Sequence, residues 1–371
     1  MHIKISVMDL SESLNCVTRA ISARPAKAIL SGVLFETIED GVLLTCTDGT
    51  ITLRARMEAN VLKAGKSVLP GRLLLDLVRK LPSSEVDIQI NEKNVAIIKC
   101  APSRTTLACM NGVEFPAFTP SEGVAGVQLS QADLRDMIQK VIFAVGTDES
   151  RQILTGCLLE ITREETRLVA LDGFRLAMQK CAGQFICEDE ERQSIKAVIP
   201  GRVMSEIGKI LDDADEPIHV MLDNARMYAT FGAVEISSVL LVGEYIDYRK
   251  ILPTEWETRI KLKRVELHDA LERVSLIARE GKTNLVKLHM DASYVTINSN
   301  AEMGDAVETV MYDIDGPELD IAFNARYISD IIRSIEDEEV CLFFGSSVSP
   351  CVISPLKEGK YVYLLLPVRT F

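Results

Sequence analysis

Apolar and polar residues alternate at several places along the chain, and a period of two is typical of a half-buried strand. Residues 1–7 alternate in this way, and so do residues 86–90 and 95–98. The last two segments are separated by the polar residues 91–94 (NEKN), a composition typical of turns. We therefore predict an N-terminal strand and an antiparallel hairpin that turns at residues 91–94.

Helical periodicity follows the alternating segments at three places. Apolar residues recur at intervals of three and four from Leu10, from Ser130 and from Val265 onward. Ser11 and Ser130 carry the hydroxyl side chain that the N-cap of a helix favours. Each of the three segments is therefore predicted to form an amphipathic helix packed on neighbouring strands.

The chain also repeats itself. Residues 32–36 (GVLFE) match residues 156–160 (GCLLE), and Asp48-Gly49 matches Asp172-Gly173. Both matches have the same separation of 124 residues, which is hard to obtain by chance. Self-similarity at a fixed period indicates repeated structural units. Because the 371 residues hold this period three times, the repeated unit is a whole domain.

The opening of a second helix recurs in all three copies. Residues 68–72 (VLPGR) match residues 198–202 (VIPGR), and residues 322–326 (AFNAR) follow 124 positions later. Further alternating strands come after each motif, so the fold class is α+β, with three similar domains of two helices packed on antiparallel sheet. Boundaries are expected near residues 116–127, rich in Pro, Gly and Ser, and near residues 253–258. The predicted domains are 1–120, 128–252 and 258–371.

The composition is that of a globular protein, with 47% hydrophobic and 26% charged residues. No apolar run approaches the roughly 18 to 20 residues that span a bilayer. The N-terminal residues lack the pattern of a secretory signal. We therefore expect a cytoplasmic protein that does not associate with membranes.

Candidate catalytic and metal sites are few. Nine cysteines form no CxxC pair, which favours reduced core residues over a zinc site or a disulfide framework, and four histidines form no HxxxH pair. The segment Gly281-Lys282-Thr283 resembles the end of a phosphate-binding loop, but Leu276 stands where that motif needs glycine. Carboxylate runs such as residues 336–339 are interpreted as solvated charge. We expect no cofactor, no metal and no catalytic site.

The distribution of charge indicates where nucleic acid would bind. The net charge is -13, so phosphates can be held only where cations are concentrated. In the second helix of each repeat two cations stand seven residues apart, and two helical turns put both on one face. These pairs are Arg72 and Arg79, Arg202 and Lys209, and Arg326 and Arg333. Arg24 and Lys27 in a predicted loop, and Lys80, complete the candidate DNA-binding residues.

A single cation pair of this kind is more often an ordinary solvated helix face, but recurrence in all three repeats favours a shared ligand. Aromatic residues make up only 5% of the chain and do not interleave with these cations. This argues against the stacking platforms of single-strand binders. We therefore expect double-stranded DNA, bound through its backbone and independently of sequence.

The last residues, 361–371, are largely apolar. Chain ends are otherwise polar and frayed unless the fold holds them. Two interpretations remain open: a buried final strand, or a tail that also lines a peptide-binding groove.

Along its entire length the chain resembles the bacterial sliding clamps, the beta subunits of the replicative DNA polymerase. The resemblance rests on the three-fold repeat and on a set of short motifs. These are Arg24-Pro25 with Ile29-Leu30, Arg151 with Leu154-Thr155-Gly156, residues 171–177 (LDGFRLA), residues 243–248 (GEYIDY) with Leu252-Pro253, and residues 366–369 (LPVR).

The resemblance implies a processivity factor without catalytic activity, which encircles duplex DNA in the nucleoid. Two chains would join head to tail, first domain to third domain, into a homodimeric ring of six similar domains. Thr105 and Leu107 of one chain would then face Leu276 and Ile277 of the other.

The resemblance also implies protein partners: the replicative polymerase, the clamp loader, repair polymerases and ligase-type proteins. Each would insert a short apolar-tipped peptide into a pocket between the second and third domains. Matched residue by residue, the pocket would use Arg151, Leu154, Leu171, Gly173, Phe174, Arg175, Leu176, Ile246, Lys250, Ile251, Val348, Leu364, Leu366, Pro367, Val368 and Arg369.

Two other classes of protein are compatible with three α+β repeats. An enzyme on this scaffold requires a convergent cluster of titratable residues, which the sequence does not offer. A protein-only scaffold requires the same repeats without DNA in the channel. In that case the cation pairs would be dispensable.

Overall fold

A computed structural model of the chain describes residues 1–82, 85–118, 123–281, 283–355 and 359–369. The boundary predicted at residues 116–127 lies partly outside the described residues. Lys282, in the segment that resembles a phosphate-binding loop, and residues 370–371 of the apolar tail also lie outside them.

The strands of the described residues are numbered in chain order. The first fourteen are β1 (His2–Ser6), β2 (Gly32–Ile38), β3 (Gly41–Thr47), β4 (Ile51–Glu58), β5 (Asn60–Lys63), β6 (Lys66–Pro70), β7 (Glu85–Ile90), β8 (Val95–Cys100), β9 (Ser103–Ala108), β10 (Met110–Asn111), β11 (Ala125–Ser130), β12 (Gly156–Thr162), β13 (Thr166–Leu171) and β14 (Arg175–Cys181). The others are β15 (Gln184–Cys187), β16 (Ser194–Pro200), β17 (Pro217–Leu222), β18 (Arg226–Phe231), β19 (Val234–Val239), β20 (Thr258–Lys263), β21 (Leu285–Met290), β22 (Tyr294–Ala301), β23 (Gly304–Met311), β24 (Asp313–Asp315), β25 (Leu319–Asn324), β26 (Glu339–Phe344), β27 (Cys351–Ser354) and β28 (Tyr361–Leu365).

The α-helices of the described residues form two per repeat, as predicted. They are α1 (Val7–Val17), α2 (Gly71–Val78), α3 (Gln131–Val141), α4 (Gly201–Ile210), α5 (Arg264–Glu280) and α6 (Ala325–Ser334). None of the helices in the described part of the chain is long and apolar enough to cross a membrane.

The start of the first helix differs from the prediction. The N-cap of α1 is Ser6 and not Ser11, and Ser6 Oγ accepts a hydrogen bond from the Asp9 backbone N–H at 3.4 Å. Ser11 lies inside the helix because the buried face already begins at Val7, one turn before Leu10. Ser130 directly precedes α3, the position predicted for it.

The chain folds as two compact units built from discontinuous stretches. One contains residues 1–132, 184–195 and 206–240, and the other contains residues 133–183, 196–205 and 241–371. The segment 128–252, predicted as the middle domain, contributes strands to both units. The compact units therefore do not coincide with the three repeats, and the domain boundaries remain predictions from the sequence.

The first unit contains two sheets. Their strand orders are β5-β1-β7-β8-β9 and β10-β6-β2-β3-β4-β19-β18-β17-β11-β15. In the longer sheet, strands of the first and middle repeats meet at β4 and β19, where Leu53 pairs with Ile236 in antiparallel register. Helices α1 and α2 pack against each other, and α1 buries Leu10 and Leu14 on β4. Burial of each such leucine contributes roughly 1.5–3 kcal/mol.

The predicted hairpin lies at the centre of the five-stranded sheet. Strands β7 and β8 pair in antiparallel register, and β7 also pairs with the predicted N-terminal strand β1. In the turn, Asn91 Oδ1 accepts hydrogen bonds from the backbone N–H groups of Lys93 and Val95 at 3.0 and 3.1 Å. The alternating pattern and the polar turn are therefore confirmed together.

The second unit also contains two sheets, with the orders β16-β12-β13-β14-β28-β27-β26-β20-β24 and β23-β22-β21-β25. Here the middle and third repeats meet at β14 and β28, where Leu176 pairs with Leu364. Helix α5 packs on α6 and on β22 and β23. The inner face of α6 buries Ile328, Ile331 and Ile332.

All nine cysteines are free thiols, five of them buried and four half-buried. Complete burial raises the pKa of Cys157 to about 12. Such a thiol stays protonated at neutral pH, and the thiolate is the reactive form. Five of the nine are thus core residues, as predicted, whereas Cys16, Cys109, Cys181 and Cys187 are only half-buried.

Candidate functional site

The cation pair of the first repeat lies on α2 and at its C-terminal end. Arg72 Nη2 donates a hydrogen bond to the Ile21 carbonyl at 3.3 Å, and Arg79 Nη2 donates to Asn15 Oδ1 at 2.7 Å. Arg79 caps the helix, and Lys80 follows it. All three cations are exposed. Because the two acceptors are uncharged, they do not neutralise the arginines toward an anionic ligand.

The cation pair of the middle repeat lies on α4, where Arg202 and Lys209 are exposed. Lys209 Nζ lies 2.8 Å from Glu206 Oε1, and the other oxygen of this carboxylate lies 3.3 Å from Arg19 Nη1. Arg19 was not among the predicted residues, because it comes from the short helical turn after α1. One carboxylate shared by two cations leaves this cluster with net positive charge.

The cation pair of the third repeat lies on α6 beside acidic side chains. Arg326 Nε is 3.8 Å from Asp330 Oδ2, and Arg333 Nη2 is 2.8 Å from Glu272 Oε1 on α5. Both arginines are exposed. Ion pairs at the surface typically contribute about 0–1 kcal/mol, so these carboxylates hold the arginines only weakly.

The two cations predicted in a loop are exposed as well. Arg24 and Lys27 lie between the short helical turns Thr18–Ala20 and Ala28–Ser31. The Arg24 backbone N–H donates to Ser22 Oγ at 3.2 Å, which stabilises the loop locally. All nine candidate DNA-binding residues are thus exposed, and their contact with DNA stays a prediction.

A buried arginine organises the residues of the predicted pocket. Only 6% of Arg175 is exposed. Its Nε donates to Asp172 Oδ2 at 3.0 Å, its Nη1 to Asp330 Oδ2 at 2.7 Å, and its Nη2 to the Phe143 carbonyl at 2.5 Å. The guanidinium carbon also lies 4.4 Å from the ring centroid of Tyr327. Arg175 therefore braces β14 against α6, and its donors are already committed to the protein.

The turn before Arg175 places Phe174 at the surface. Gly173 has a φ of +94°, a conformation that favours glycine. Asp172 Oδ1 closes the turn by accepting hydrogen bonds from the backbone N–H groups of Phe174 and Arg175, at 2.9 and 3.0 Å. A Cβ atom on Gly173 would lie 3.2 Å from Arg151 Nη1. The guanidinium of Arg151 therefore lies against the turn.

A cavity of about 410 Å³ lies beside this turn. Phe174 is 58% exposed there, and its ring stacks on Tyr327 with 6.0 Å between centroids. The cavity is lined by Val145, Gly146, Thr147, Asp148, Arg151, Leu154, Asp172, Gly173, Phe174, Arg175, Arg326 and Tyr327. The resemblance had assigned five of these residues to the pocket. It omitted Tyr327, whose only sequence signal is an aromatic residue next to a candidate DNA-binding cation.

The C-terminal residues confirm the buried final strand, while the peptide-binding tail stays a prediction. Strand β28 is buried as far as Leu365, and the chain then continues along the surface. The Leu366 N–H donates to the Phe174 carbonyl at 2.9 Å, and the Val368 N–H donates to the Ala322 carbonyl at 2.8 Å.

A second cavity, of about 440 Å³, lies where this tail ends. It is lined by Lys287, Leu288, Asp320, Ile321, Ala322, Ser347, Val348, Val368 and Arg369. Val348 is 59% exposed. We call the two cavities and the tail residues 366–369 between them the groove.

Four leucines predicted to line the pocket are buried beneath it. Leu154, Leu171, Leu176 and Leu364 share one apolar cluster with Tyr248. The predicted residues Ile246, Lys250 and Ile251 are exposed on the segment that contains Tyr248. Ten of the sixteen predicted residues thus belong to the groove, three more belong to the apolar cluster that contains Leu154, and three lie on the segment of Tyr248. Their contact with a peptide stays a prediction.

The four residues assigned to the dimer contact lie on two surfaces. Thr105 and Leu107 are half-buried on β9, which is an edge strand that pairs with β8 alone among the described residues. Leu276 is exposed and Ile277 half-buried on α5. Helix α5 packs on β23, another edge strand, where Val307 is exposed. Unpaired edges of this kind present backbone groups that a further strand can bond.

The carboxylate run at residues 336–339 is exposed, as predicted, whereas Glu165 of the run Glu164-Glu165 is half-buried. Glu165 lies 3.4 Å from Lys180 Nζ, and Glu336 lies 3.1 Å from Lys140 Nζ. In both pairs the lysine comes from a different element of the fold. A sequence pattern limited to neighbouring residues does not reveal such partners.

Three repeats of two helices on antiparallel sheet, with exposed cations on the second helix of each, define the class of DNA clamp proteins. Comparison with known proteins identifies the family. Models of the DNA polymerase III beta subunit match along the chain: the N-terminal domain at residues 1–119, the central domain at 128–247 and the C-terminal domain at 249–369.

Individual relatives match this chain over nearly its full length. The chain is 31% identical over 368 residues to a beta sliding clamp of Staphylococcus epidermidis, which covers 96% of each protein. The crystal structure of the DNA polymerase sliding clamp from Bacillus subtilis superposes with a TM-score of 0.95 at 31% identity over all of both chains. A sliding clamp from Pseudomonas aeruginosa, solved bound to griselimycin, gives 0.93 at 26% identity, again over all of both chains.

The chain belongs to the beta sliding clamps, the beta subunits of DNA polymerase III. Its function is that of a DNA sliding clamp in DNA replication. The predicted fold of three α+β clamp domains is confirmed.

Proposed function

We propose that two copies of this chain close head to tail into a ring around duplex DNA and have no catalytic activity. The observation that carries this proposal is the exposure of a cation pair on the second helix of every repeat. With a net charge of -13, the rest of the surface repels DNA. Weak phosphate contacts would let the ring slide along the DNA, while closure of the ring prevents its escape. Such a protein acts on the nucleoid in the cytoplasm.

Ring closure would use the two edge surfaces. The face of β9 with Thr105 and Leu107 would meet the face of α5 and β23 that carries Leu276 and Ile277. A head-to-tail contact between unlike faces closes when the rotation between copies completes a circle. Apolar side chains at both faces support a stable contact, since their burial is the main source of association free energy.

The groove would bind the partners. We infer that it takes short apolar-tipped peptides from the replicative polymerase, the clamp loader, repair polymerases and ligase-type proteins. Phe174 and Val348 offer exposed apolar contacts, and Arg151 and Arg369 offer exposed cations for an acidic residue of the peptide. The related clamp solved with griselimycin supports a ligand site in this fold.

Retention on circular DNA tests the ring. The chain is loaded onto nicked circular duplex, separated from free protein by gel filtration, and the DNA is then linearised. We expect the wild-type protein to stay on circles and to be lost from linear DNA. A quadruple variant with Arg72, Arg79, Arg202 and Lys209 replaced by alanine should load less well, because four phosphate contacts are removed.

The matched control removes the same charge elsewhere. It replaces Arg56, Lys63, Lys93 and Lys99, which are exposed cations outside the second helices, by alanine and should load like the wild type. Equal loading of all three proteins onto nicked circles would refute the assigned DNA-binding face. Retention that does not depend on DNA topology would instead favour the protein-only scaffold.

Peptide binding tests the groove. The probe is the fluorescein-labelled heptapeptide Gly-Gly-Leu-Asp-Leu-Phe-Gly, and binding is followed by fluorescence anisotropy. We expect Val348→Glu to weaken binding about tenfold or more, because a carboxylate replaces an exposed apolar contact. Val113→Glu, at a residue that is 80% exposed far from these cavities in sequence, is the control. Equal affinities for the two variants would refute the groove.

A further inference from the structure

Residues 243–252, which we call the strap, lead from the middle repeat into the third and are held by two tyrosines. Only 2% of Tyr248 is exposed, and it packs in the apolar cluster beneath the groove. Tyr245 packs against the same cluster, and its hydroxyl lies 3.5 Å from the carbonyls of Gly156 and Val169. The strap is therefore fixed to β12 and β13 at two points.

A network of charged side chains reinforces the attachment at Tyr248. The Tyr248 hydroxyl donates to Glu160 Oε2 at 2.9 Å. Arg249 binds both oxygens of the same carboxylate, with Nη1 at 3.1 Å from Oε1 and Nη2 at 2.6 Å from Oε2. Arg167 Nη1 donates to the Tyr248 hydroxyl at 3.4 Å. Two-point bonds between arginine and carboxylate fix geometry as well as adding free energy.

The exposed residues of the strap alternate with these anchors. Ile246 lies between the two tyrosines, and Lys250 and Ile251 directly follow Arg249. All three side chains are exposed. Outside the helical turn Tyr248–Lys250, no regular element of the described residues holds the strap. The two tyrosines, the charged network and Leu252, which packs against the same apolar cluster, therefore determine where its exposed apolar side chains stand.

We propose that Glu160, Tyr248 and Arg249 are positioning residues for peptide binding, which hold the strap as a preformed wall next to the groove floor. None of the three needs to touch the peptide. A wall that is already ordered loses little conformational entropy when the peptide binds. Loss of the network therefore lowers the affinity without removing a peptide contact. This inference rests on the proposed peptide groove.

The test compares two conservative variants with a matched control. Tyr248→Phe keeps the buried ring and removes the hydroxyl, and Glu160→Gln keeps the shape of the side chain and removes its charge. Glu164→Gln, at an exposed residue in the hairpin between β12 and β13, makes the same change of charge outside the network. Affinity for the labelled heptapeptide is measured by anisotropy, and protection of backbone amides by hydrogen exchange.

We expect Tyr248→Phe and Glu160→Gln to weaken peptide binding by roughly fivefold each, because a strap that is no longer preordered loses conformational freedom on binding. Amides of the strap should exchange faster, while those of β12, β13 and β14 keep their protection. Glu164→Gln should match the wild type in both measurements. Retention on circular DNA should be the same for all four proteins.

Three outcomes would overturn the inference, and they are distinguishable. If both network variants bind the peptide as tightly as Glu164→Gln while Val348→Glu loses binding, the groove stands and the network has only a structural role. If the wild-type protein itself fails to bind the peptide, the proposed groove is refuted, and the positioning role with it. Faster exchange throughout β12–β14 would likewise count against a local role.

Discussion

At the scale of single residues, the groove is built on side chains whose bonds are already made within the protein. Arg175 donates to two carboxylates and one carbonyl, and Glu160 accepts from Tyr248 and Arg249. Buried charges require such partners, since a lone charge in the interior is strongly destabilising. The apolar and exposed residues around them, such as Phe174, are left to meet a ligand.

Gly173 gives the first prediction at this scale. Gly173→Ala places a Cβ atom 3.2 Å from Arg151 Nη1 in a backbone conformation with φ of +94°. We expect a loss of about 1 kcal/mol in stability and weaker binding of the labelled heptapeptide. Urea unfolding and anisotropy measure the two effects.

The control for this prediction is Gly232→Ala. Gly232 also has a positive φ, of 51°, but nothing lies within 4 Å of its Cβ position. This variant should lose stability without losing affinity for the peptide. If Gly173→Ala binds the peptide as well as Gly232→Ala, the turn does not shape the groove.

Glu160 gives a prediction in terms of pH. Burial acts to raise the pKa of its carboxyl, but the hydrogen bonds from Arg249 and Tyr248 outweigh burial and hold the pKa below its ordinary value of 4.5. A carboxyl with a lower pKa in the folded state contributes stability fully above its unfolded-state pKa. It loses that contribution as the pH falls through the folded-state pKa.

The lowered pKa of Glu160 determines how the stability of the variant should depend on pH. Glu160→Gln should unfold at a lower urea concentration than the wild type at pH 7, and the difference should shrink as the pH is lowered below 4.5. Glu164→Gln serves as the control and should show no such pH-dependent difference. A difference for Glu160→Gln that stays constant down to acid pH would contradict the assigned pKa shift.

The spacing of residues along the sequence predicted correctly which cations are exposed. It did not predict which carboxylates they pair with. The spacing of Arg326 and Arg333 placed both correctly on an exposed face of α6. It did not reveal Glu272 beside Arg333, because this carboxylate comes from α5. Spacing along one helix reports only which residues share a face, whereas ion pairs between elements depend on how the elements pack.

At the scale of elements, the boundaries follow the apolar positions more closely than the capping residues. Helix α1 begins at Val7 because burial of Val7 adds to that of Leu10 and Leu14, and Ser6 then serves as the cap. The prediction started from Ser11, a residue equally suited to capping. Strand β7 and the hairpin were predicted correctly, since period-two alternation and a polar turn are both local signals.

The edge strands give a prediction at this scale. Val307 is exposed on β23, one of the two edges through which we propose that the ring closes. Val307→Lys should raise the dimer dissociation constant about tenfold, or about 1.4 kcal/mol, because a lysine on an edge strand opposes pairing with another strand. Sedimentation equilibrium measures the dissociation constant.

Val113→Lys is the matched control, since Val113 is also exposed but lies in a short helical turn between strands. It should leave the dissociation constant unchanged. If Val307→Lys sediments like this control at every concentration, the edge of β23 takes no part in closure of the ring.

At the scale of the whole molecule, binding by closure and binding by charge respond differently to salt. Contacts between cations and phosphates weaken by orders of magnitude between about 50 and 200 mM salt. A ring that is held by its own closure stays on a closed circle over this range. We therefore expect retention on nicked circles to change little, while loading and any binding to linear DNA fall steeply.

Gel filtration of preformed complexes at the two salt concentrations checks this expectation, provided that sedimentation shows the dimer intact at both. The quadruple alanine variant should show a shallower dependence of loading on salt. Release from circles in proportion to release from linear DNA would show that charge alone holds the protein.

The pairing of β4 with β19 and of β14 with β28 has a consequence for inheritance. Each junction joins strands from two different repeats, so no repeat completes its sheets with its own residues. A change of pairing on one side of a junction therefore requires a matching change on the other. The three copies could diverge in sequence, but none could be lost without leaving a neighbour's strand unpaired and prone to self-association.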